Sequence, residues 1–176
     1  ENWRTRHPRL LTLNQHFKEQ GYQTIGLGKI YHRDSEPGVD PHNWTQWIEV
    51  GSPGHYLRQK NILLLRRARS ENKVSDPNDP PKGPMTESAE VPDNAYLDGK
   101  RAEKAVNIIK DLSSTPEHPF FLAVGFSKPH LPFCAPQKYW DLYDRSDFSM
   151  PANSGIPPGY PIDAANVKAM EMTKDR

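Results

Sequence analysis

The chain has 176 residues, with 23 Lys plus Arg against 22 Asp plus Glu, one Cys, 18 Pro and 11 Gly, the length of about one domain with almost no net charge. No uninterrupted apolar run approaches the roughly 18 residues of a spanning helix, so no membrane partner is expected, and a net charge of +1 argues against a surface that tracks nucleic acid. One Cys rules out an internal disulfide, no Cys/His grouping has zinc spacing, and 18 prolines beside an apolar fraction of 35% predict much loop around a thin core.

The chain opens at Glu1 with no initiator Met or leader pattern and closes at Lys174-Asp175-Arg176 inside a Met-containing helical pattern. It therefore reads as an internal piece of a longer protein, one incomplete segment over 1–176. From Leu10 to Gly21 the pattern is a short helix: Thr12 and Gln15 stand at capping-box spacing, Leu13 and Phe17 are i,i+4, and Gly21 suits a left-handed cap. Tyr22 to Gly28 then reads as a strand with Ile25 and Leu27 on one face. Gly26 and Gly28 lie on the other, where another backbone or a ligand comes close. The strand ends at Gly28-Lys29-Ile30-Tyr31-His32.

Residues 33–92 read mostly as loop, punctuated by Pro37-Gly38, Asn43-Trp44, Pro53-Gly54, Asp79-Pro80-Pro81 and Gly83-Pro84, a length that marks a functional loop or an insertion. Within it Tyr56 to Ser70 suits a basic helix whose Arg66, Arg67 and Arg69 form a solvated face, with polyanion contact as the other reading. Trp44 and Trp47 read as anchors of that loop, or as aromatic faces for a sugar. Past Leu97, Ala102, Ala105, Val106, Ile109 and Leu112 fall at helical spacing opposite Lys100, Arg101, Glu103, Lys104 and Lys110. Phe120-Phe121-Leu122-Ala123-Val124 is a continuous apolar run, the pattern of a parallel strand covered on both faces. A short helix is expected around Pro136 to Tyr143, and the end from about 158 to 176 stays unassigned. Alternating helices and strands of this kind predict an α/β fold.

Ligands of open parallel sheets bind at the carboxyl ends of strands, and both predicted strands run there into a Lys and a His: Lys29 with His32, and Lys128 with His130. Such a group suits an oxyanion, a sulfate or phosphate ester, on whose leaving oxygen charge builds during cleavage, and histidine supplies a proton near neutral pH. Pro129 restricts the backbone between Lys128 and His130. A single Lys or His after a strand is most often a solvated loop residue; the same pair at two strand ends is what raises the functional reading. His7, His16, His42, His55 and His118 have no such setting and read as surface or capping residues.

Gly28-Lys29-Ile30-Tyr31-His32, the run FFLAVGFSKPHLPF from Phe120 to Phe133, and the stretch from Val91-Pro92-Asp93 to Asp98-Gly99-Lys100 resemble the interior of the sulfatase family, in its iduronate-2-sulfatase-like branch. The resemblance runs from about Leu10 to about Pro157, and the two-residue gap between Lys29 and His32 is typical of the iduronate-type members. It implies part of an alkaline-phosphatase-like α/β domain with a mostly parallel central sheet flanked by helices, a calcium ion, and a formylglycine nucleophile made from a cysteine. It also implies a sulfated sugar or glycosaminoglycan as substrate, and export to a periplasm, lysosome or extracellular space. By the same resemblance Lys29 matches a lysine contacting sulfate and formylglycine, and His32 the histidine bonded to the formylglycine hydroxyl. His130 matches the histidine facing sulfate and leaving oxygen, and Lys128 a neighbouring cationic position.

The chain departs from the family pattern at the nucleophile and the metal. Cys134-Ala135-Pro136-Gln137-Lys138 has Lys where the maturation signal Cys-x-Pro/Ala-x-Arg has Arg, and it follows the Gly-Lys-x-x-His segment instead of preceding it, so Cys134 is expected to be a packed or idle thiol. No Asp-Asp pair occurs, and the downstream metal pair is missing. The nucleophile and calcium ligands are therefore expected outside the segment, which alone should not turn over substrate. The alternatives are a phosphoryl-transfer relative on the same fold and a non-catalytic remnant that binds anions or polysaccharide.

Overall fold

The computed structural model describes residues 3–31, 40–51, 54–71, 83–114, 117–150, 152 and 158–159. They form two compact units, the first from residues 1–54 and 93–128, the second from 55–92 and 129–176. Helices α1 to α5 span Trp3–Arg6, Leu13–Glu19, Gln59–Glu71, Leu97–Ser113 and Gln137–Trp140, and strands β1 to β5 span Gln23–Gly28, Gln46–Ile48, Thr86–Ala89, Phe120–Gly125 and Phe133–Pro136. This is the α/β class expected, with parallel strands throughout. Among the described residues no helix is long and apolar enough to cross a membrane.

The first unit is a parallel sheet in the order β2-β1-β4. Ile25 stands level with Leu122, and Leu27 with Val124 and Ile48, so these side chains share one face, because alternate residues of a strand point the same way. Ile25 and Leu27 are almost wholly enclosed there with Ile108 of α4, and Ile48, Val50, Leu112, Leu122 and Val124 surround them. Enclosing three such side chains contributes about 1.5–3 kcal/mol each. On the opposite face Phe17 of α2 stacks on Phe121, ring centres 4.8 Å apart, and meets Tyr22 edge-on. Helices thus cover both faces, as the apolar run Phe120 to Val124 predicts, although β4 itself is only half buried. It is an edge strand of the described sheet, so its side chains have neighbours on one side only.

Helix α2 begins where its cap predicts: Thr12 Oγ accepts from Gln15 N at 3.2 Å, and Gly21 takes φ +84° beyond the last turn. The box is not reciprocal, since Gln15 sends its own side chain to Glu19 at 2.9 Å. Leu13 stays exposed while Asn14 is buried, so of the Leu13/Phe17 pair only Phe17 faces the sheet.

Helix α4 is also rotated from the expected face. Ala105 and Ile108 are buried, whereas Val106 and Ile109 are 49% and 45% exposed. The inward row is Arg101-Ala105-Ile108-Leu112, four positions at helical spacing, and the row Ala102-Val106-Ile109 faces away.

Segment 33–92 carries more structure than the loop expected: among its described residues are β2, α3 and β3. Trp44 is 4% exposed, and Trp47 lies against Gly26, where an added Cβ would come within 2.8 Å of the indole. The two rings sit 5.6 Å apart. Both tryptophans thus anchor the loop to β1, as one of the two readings has it. Thr24 and Thr45 lock the same junction, each hydroxyl accepting from the other's backbone N–H at 3.0 and 2.9 Å.

In the second unit β3 and β5 pair in parallel, with Glu87 level with Cys134. The carboxylate of Glu87, buried at 3% exposure, accepts from Leu57 N at 2.7 Å, Arg58 N at 3.1 Å and Asn61 Nδ2 at 2.8 Å. It thereby meets otherwise unpaired N–H groups at the start of α3, where negative charge is favoured by the helix dipole. Along α3 the basic face is exposed as expected, with Arg67 paired to Glu71 at 2.6 Å. Cys134 is buried on β5, where a packed or idle thiol is expected. The helix expected around Pro136 to Tyr143 is the short α5.

Gly28 adopts φ +79°, and a Cβ there would collide with the carbonyl oxygen of Gly125 and crowd Arg101 at 3.0 Å. Gly28→Ala is expected to lower unfolding free energy in urea titrations by at least about 1–2 kcal/mol from the left-handed backbone alone, with the collision adding to it.

Tyr56 donates to Pro84 O at 2.6 Å, and burial, then the charges of Cys134 and Glu87, push its phenol up to about 12 from an ordinary 10.0. Its neutral form is the one the fold favours, so this stabilisation is complete below pH 10 and is lost as pH rises toward 12. Unfolding free energy measured from pH 9 to 12 should fall along that range, and Tyr56→Phe should remove part of the slope.

Candidate anion site at the strand ends

β1 and β4 run in register to their last residues, Gly28 opposite Gly125. The two glycines let the backbones close together at the carboxyl end: Lys29 N donates to Gly125 O at 3.0 Å, and a Cβ on Gly125 would run into the Lys29 backbone. Lys29 therefore leaves the sheet beside the point where Phe126, Ser127 and Lys128 leave it. Both lysines are half buried. The sheet thus brings Lys29 and Lys128 to one end of one unit.

The two exits are held by different polar anchors. On the β1 side, Tyr31 donates to Asn14 Oδ1 of α2 at 3.0 Å and accepts from Asn43 Nδ2 at 3.4 Å. Asn43 is fully buried beside the buried Asp40, to which Arg4 donates through Nε at 3.0 Å and Nη2 at 2.9 Å. On the β4 side, Asp98 in the first turn of α4 accepts from Ser127 N at 2.9 Å on each oxygen and from Lys128 N at 2.9 Å on Oδ2. Arg101 Nη1 donates to Asp98 Oδ1 at 2.8 Å and to Ser127 Oγ at 2.6 Å. Its Nε is buried with no hydrogen-bond partner.

Sequence reasoning set Arg101 on the solvated side of α4, yet its side chain is 13% exposed. The available signal was spacing: Arg101 lies three residues after Asp98 and four before Ala105, which puts it on the inward row. Tyr31, Asn14 and Asn43 carried no comparable signal, because their contacts join segments far apart in the chain.

His130, at an exposed position, belongs to the second unit, and His32 lies outside the described residues. Among the described residues no group of three His, Cys, Asp or Glu side chains could hold a metal ion. Asp98 already has both oxygens occupied by N–H donors, so these residues do not make a calcium site. Two lysines that leave one sheet end, each on a braced exit, are residues suited to an oxyanion in a partly desolvated setting, where charge counts for more than in water.

No family model matches the chain. Iduronate 2-sulfatase of Mus musculus is 28% identical over 171 residues, which cover 93% of this chain and 28% of that protein. Iduronate 2-sulfatase of Homo sapiens gives the same identity and coverage. A sulfatase of Formosa agariphila is 26% identical over 147 residues, 81% of this chain and 26% of its own length. The chain thus spans little more than a quarter of the relatives it matches. Over nearly all its length the chain is sulfatase-like in sequence, and within the sulfatases it is iduronate-2-sulfatase-like.

Proposed function

We propose that this chain supplies the sulfate-binding part of a sulfuric ester hydrolase acting on sulfate esters of sugars or glycosaminoglycans. The observation that carries the reading is the in-register end of β1 and β4, which brings Lys29 and Lys128 together in a chain similar to sulfatases.

In this reading Lys29 contacts a sulfate oxygen, and Lys128 adds positive charge beside it. His130 faces the sulfate and the bridging oxygen, where a protonated imidazole gives its proton to the departing alkoxide. His32 holds the hydroxyl of the nucleophile by a hydrogen bond. Negative charge shifts toward the bridging oxygen as the S–O bond lengthens, so His130, which faces that oxygen, favours the transition state over the ground state, while the lysines bind and orient the sulfate. The formylglycine and the calcium ligands of this reading would be supplied by residues other than these. Cys134 is enclosed on β5, a setting that suits packing and not attack.

Assayed in the natural protein on a sulfate ester, Lys29→Ala and His130→Ala should each lower kcat/KM by about 10²–10³-fold with little change in thermal midpoint. Unchanged turnover in both variants would remove the assignment. Cys134→Ser should leave turnover close to its starting value, and a dead Cys134→Ser enzyme would return that thiol to candidacy.

A further inference from the structure

We infer that Asp98 is a positioning residue for Lys128: its carboxylate fixes the exit of β4, with Arg101 as its brace. The inference rests on the sulfate-ester reading above and adds to it a residue that contacts neither sulfate nor nucleophile.

Beyond Gly125 the ladder to β1 ends, since the last register pair is Gly28 with Gly125. Ser127 and Lys128 must find acceptors elsewhere, and Pro129, which lacks an N–H, closes the run of donors. Asp98 takes both donors at once, through three contacts of 2.9 Å. A carboxylate accepting from successive backbone N–H groups makes charge-assisted bonds, stronger and more directional than neutral ones. Asp98 is in turn fixed from two sides. It rides on α4, which is seated on the sheet through Ala105 and Ile108. Arg101 spans from Asp98 Oδ1 to Ser127 Oγ, so one guanidinium ties the carboxylate to the segment that it holds. Arg101 also lines Gly28, with Cδ and Nε 3.0 Å from where a Cβ would stand, which places the brace against the residue preceding Lys29. The backbone of Lys128 is therefore set relative to that of Lys29 by covalent neighbours, by the β1–β4 ladder and by Asp98.

The experiment is a double-mutant cycle in the natural protein on a sulfate ester, with Asp98→Asn, Lys128→Ala and their combination, and Lys29→Ala as control. Asparagine keeps the shape but offers one acceptor oxygen and no charge. Asp98→Asn alone should lower kcat/KM by about 10–100-fold, the scale of a small misplacement at a reacting centre. The inhibition constant for inorganic sulfate should rise with it. Once Lys128 is already Ala, the same substitution should cost less than about twofold, because its effect passes through that side chain. A full additive loss would mean that Asp98 acts on stability alone and would overturn the inference, as would a silent Asp98→Asn or a silent Lys128→Ala. Should Asp98→Asn fail to fold, the cycle is run with Arg101→Lys, which keeps the charge but not the span to both Asp98 and Ser127. A silent Lys29→Ala points to failure of the sulfate-site reading itself, whereas a damaging Lys29→Ala beside an additive Asp98 isolates the failure to the positioning role.

Discussion

Everything at the strand ends depends on how closely two backbones can approach. β1 and β4 remain paired up to Gly28 and Gly125, where side chains on either strand would force them apart. Because both residues are glycine, the Lys29 amide can still bond to Gly125, and two chain segments leave the sheet side by side. Lys29 and Lys128 then leave the same end of the sheet as a consequence of backbone packing. A Cβ on either strand would alter the spacing of the whole group.

The anchors behind those exits use polar groups where an ordinary core uses hydrocarbon. Asn14, Asp40 and Asn43 are buried within the first unit, and Glu87 is buried within the second. Asp40, Asn43 and Glu87 each bond to specific donors or acceptors, which sets geometry more tightly than apolar contact because hydrogen bonds fade quickly with angle. Such residues are the expected support for a site on loops, whose own backbone is otherwise free to move. A carboxylate recurs in that role: Asp98 gathers the backbone donors that follow a strand, and Glu87 gathers those that open a helix.

Local features were legible in the sequence and cross-chain ones were not. The cap at Thr12, the strand containing Ile25 and Leu27, the apolar strand from Phe120, and α4 itself follow from periodicity and turn chemistry, and each appears close to its expected bounds. The face of α4 was misread because Val106 and Ile109 are as apolar as Ile108, so hydropathy alone cannot choose between rows. Arg101 decides that choice, through partners on Asp98 and Ser127. β2, β3 and β5 are three or four residues long, too short for alternation to be seen, and owe their extended form to partners distant in sequence. Of the candidate site, the lysines announce themselves by following strands, while Tyr31 and Asp98 stand in the resembling stretches without a role, because a buried contact leaves no local pattern.

The pairing behind the candidate site is also the most delayed one among the described strands of the first unit. Gln23 pairs with Phe120, so on a ribosome adding roughly 5–20 residues per second β1 waits about 5–20 s for its partner strand. During that interval Ile25 and Leu27 lack the helix that later encloses them, since α4 emerges just before β4. Thr24, Trp44, Thr45 and Trp47 are synthesised within that wait and can dock on β1 early, covering its glycine face before the apolar face closes. The equilibrium cost of the long separation is small, because each doubling of a closed loop adds only about 0.6 kcal/mol. Its burden falls on time, and β1 is the strand for which a chaperone would have the longest opportunity.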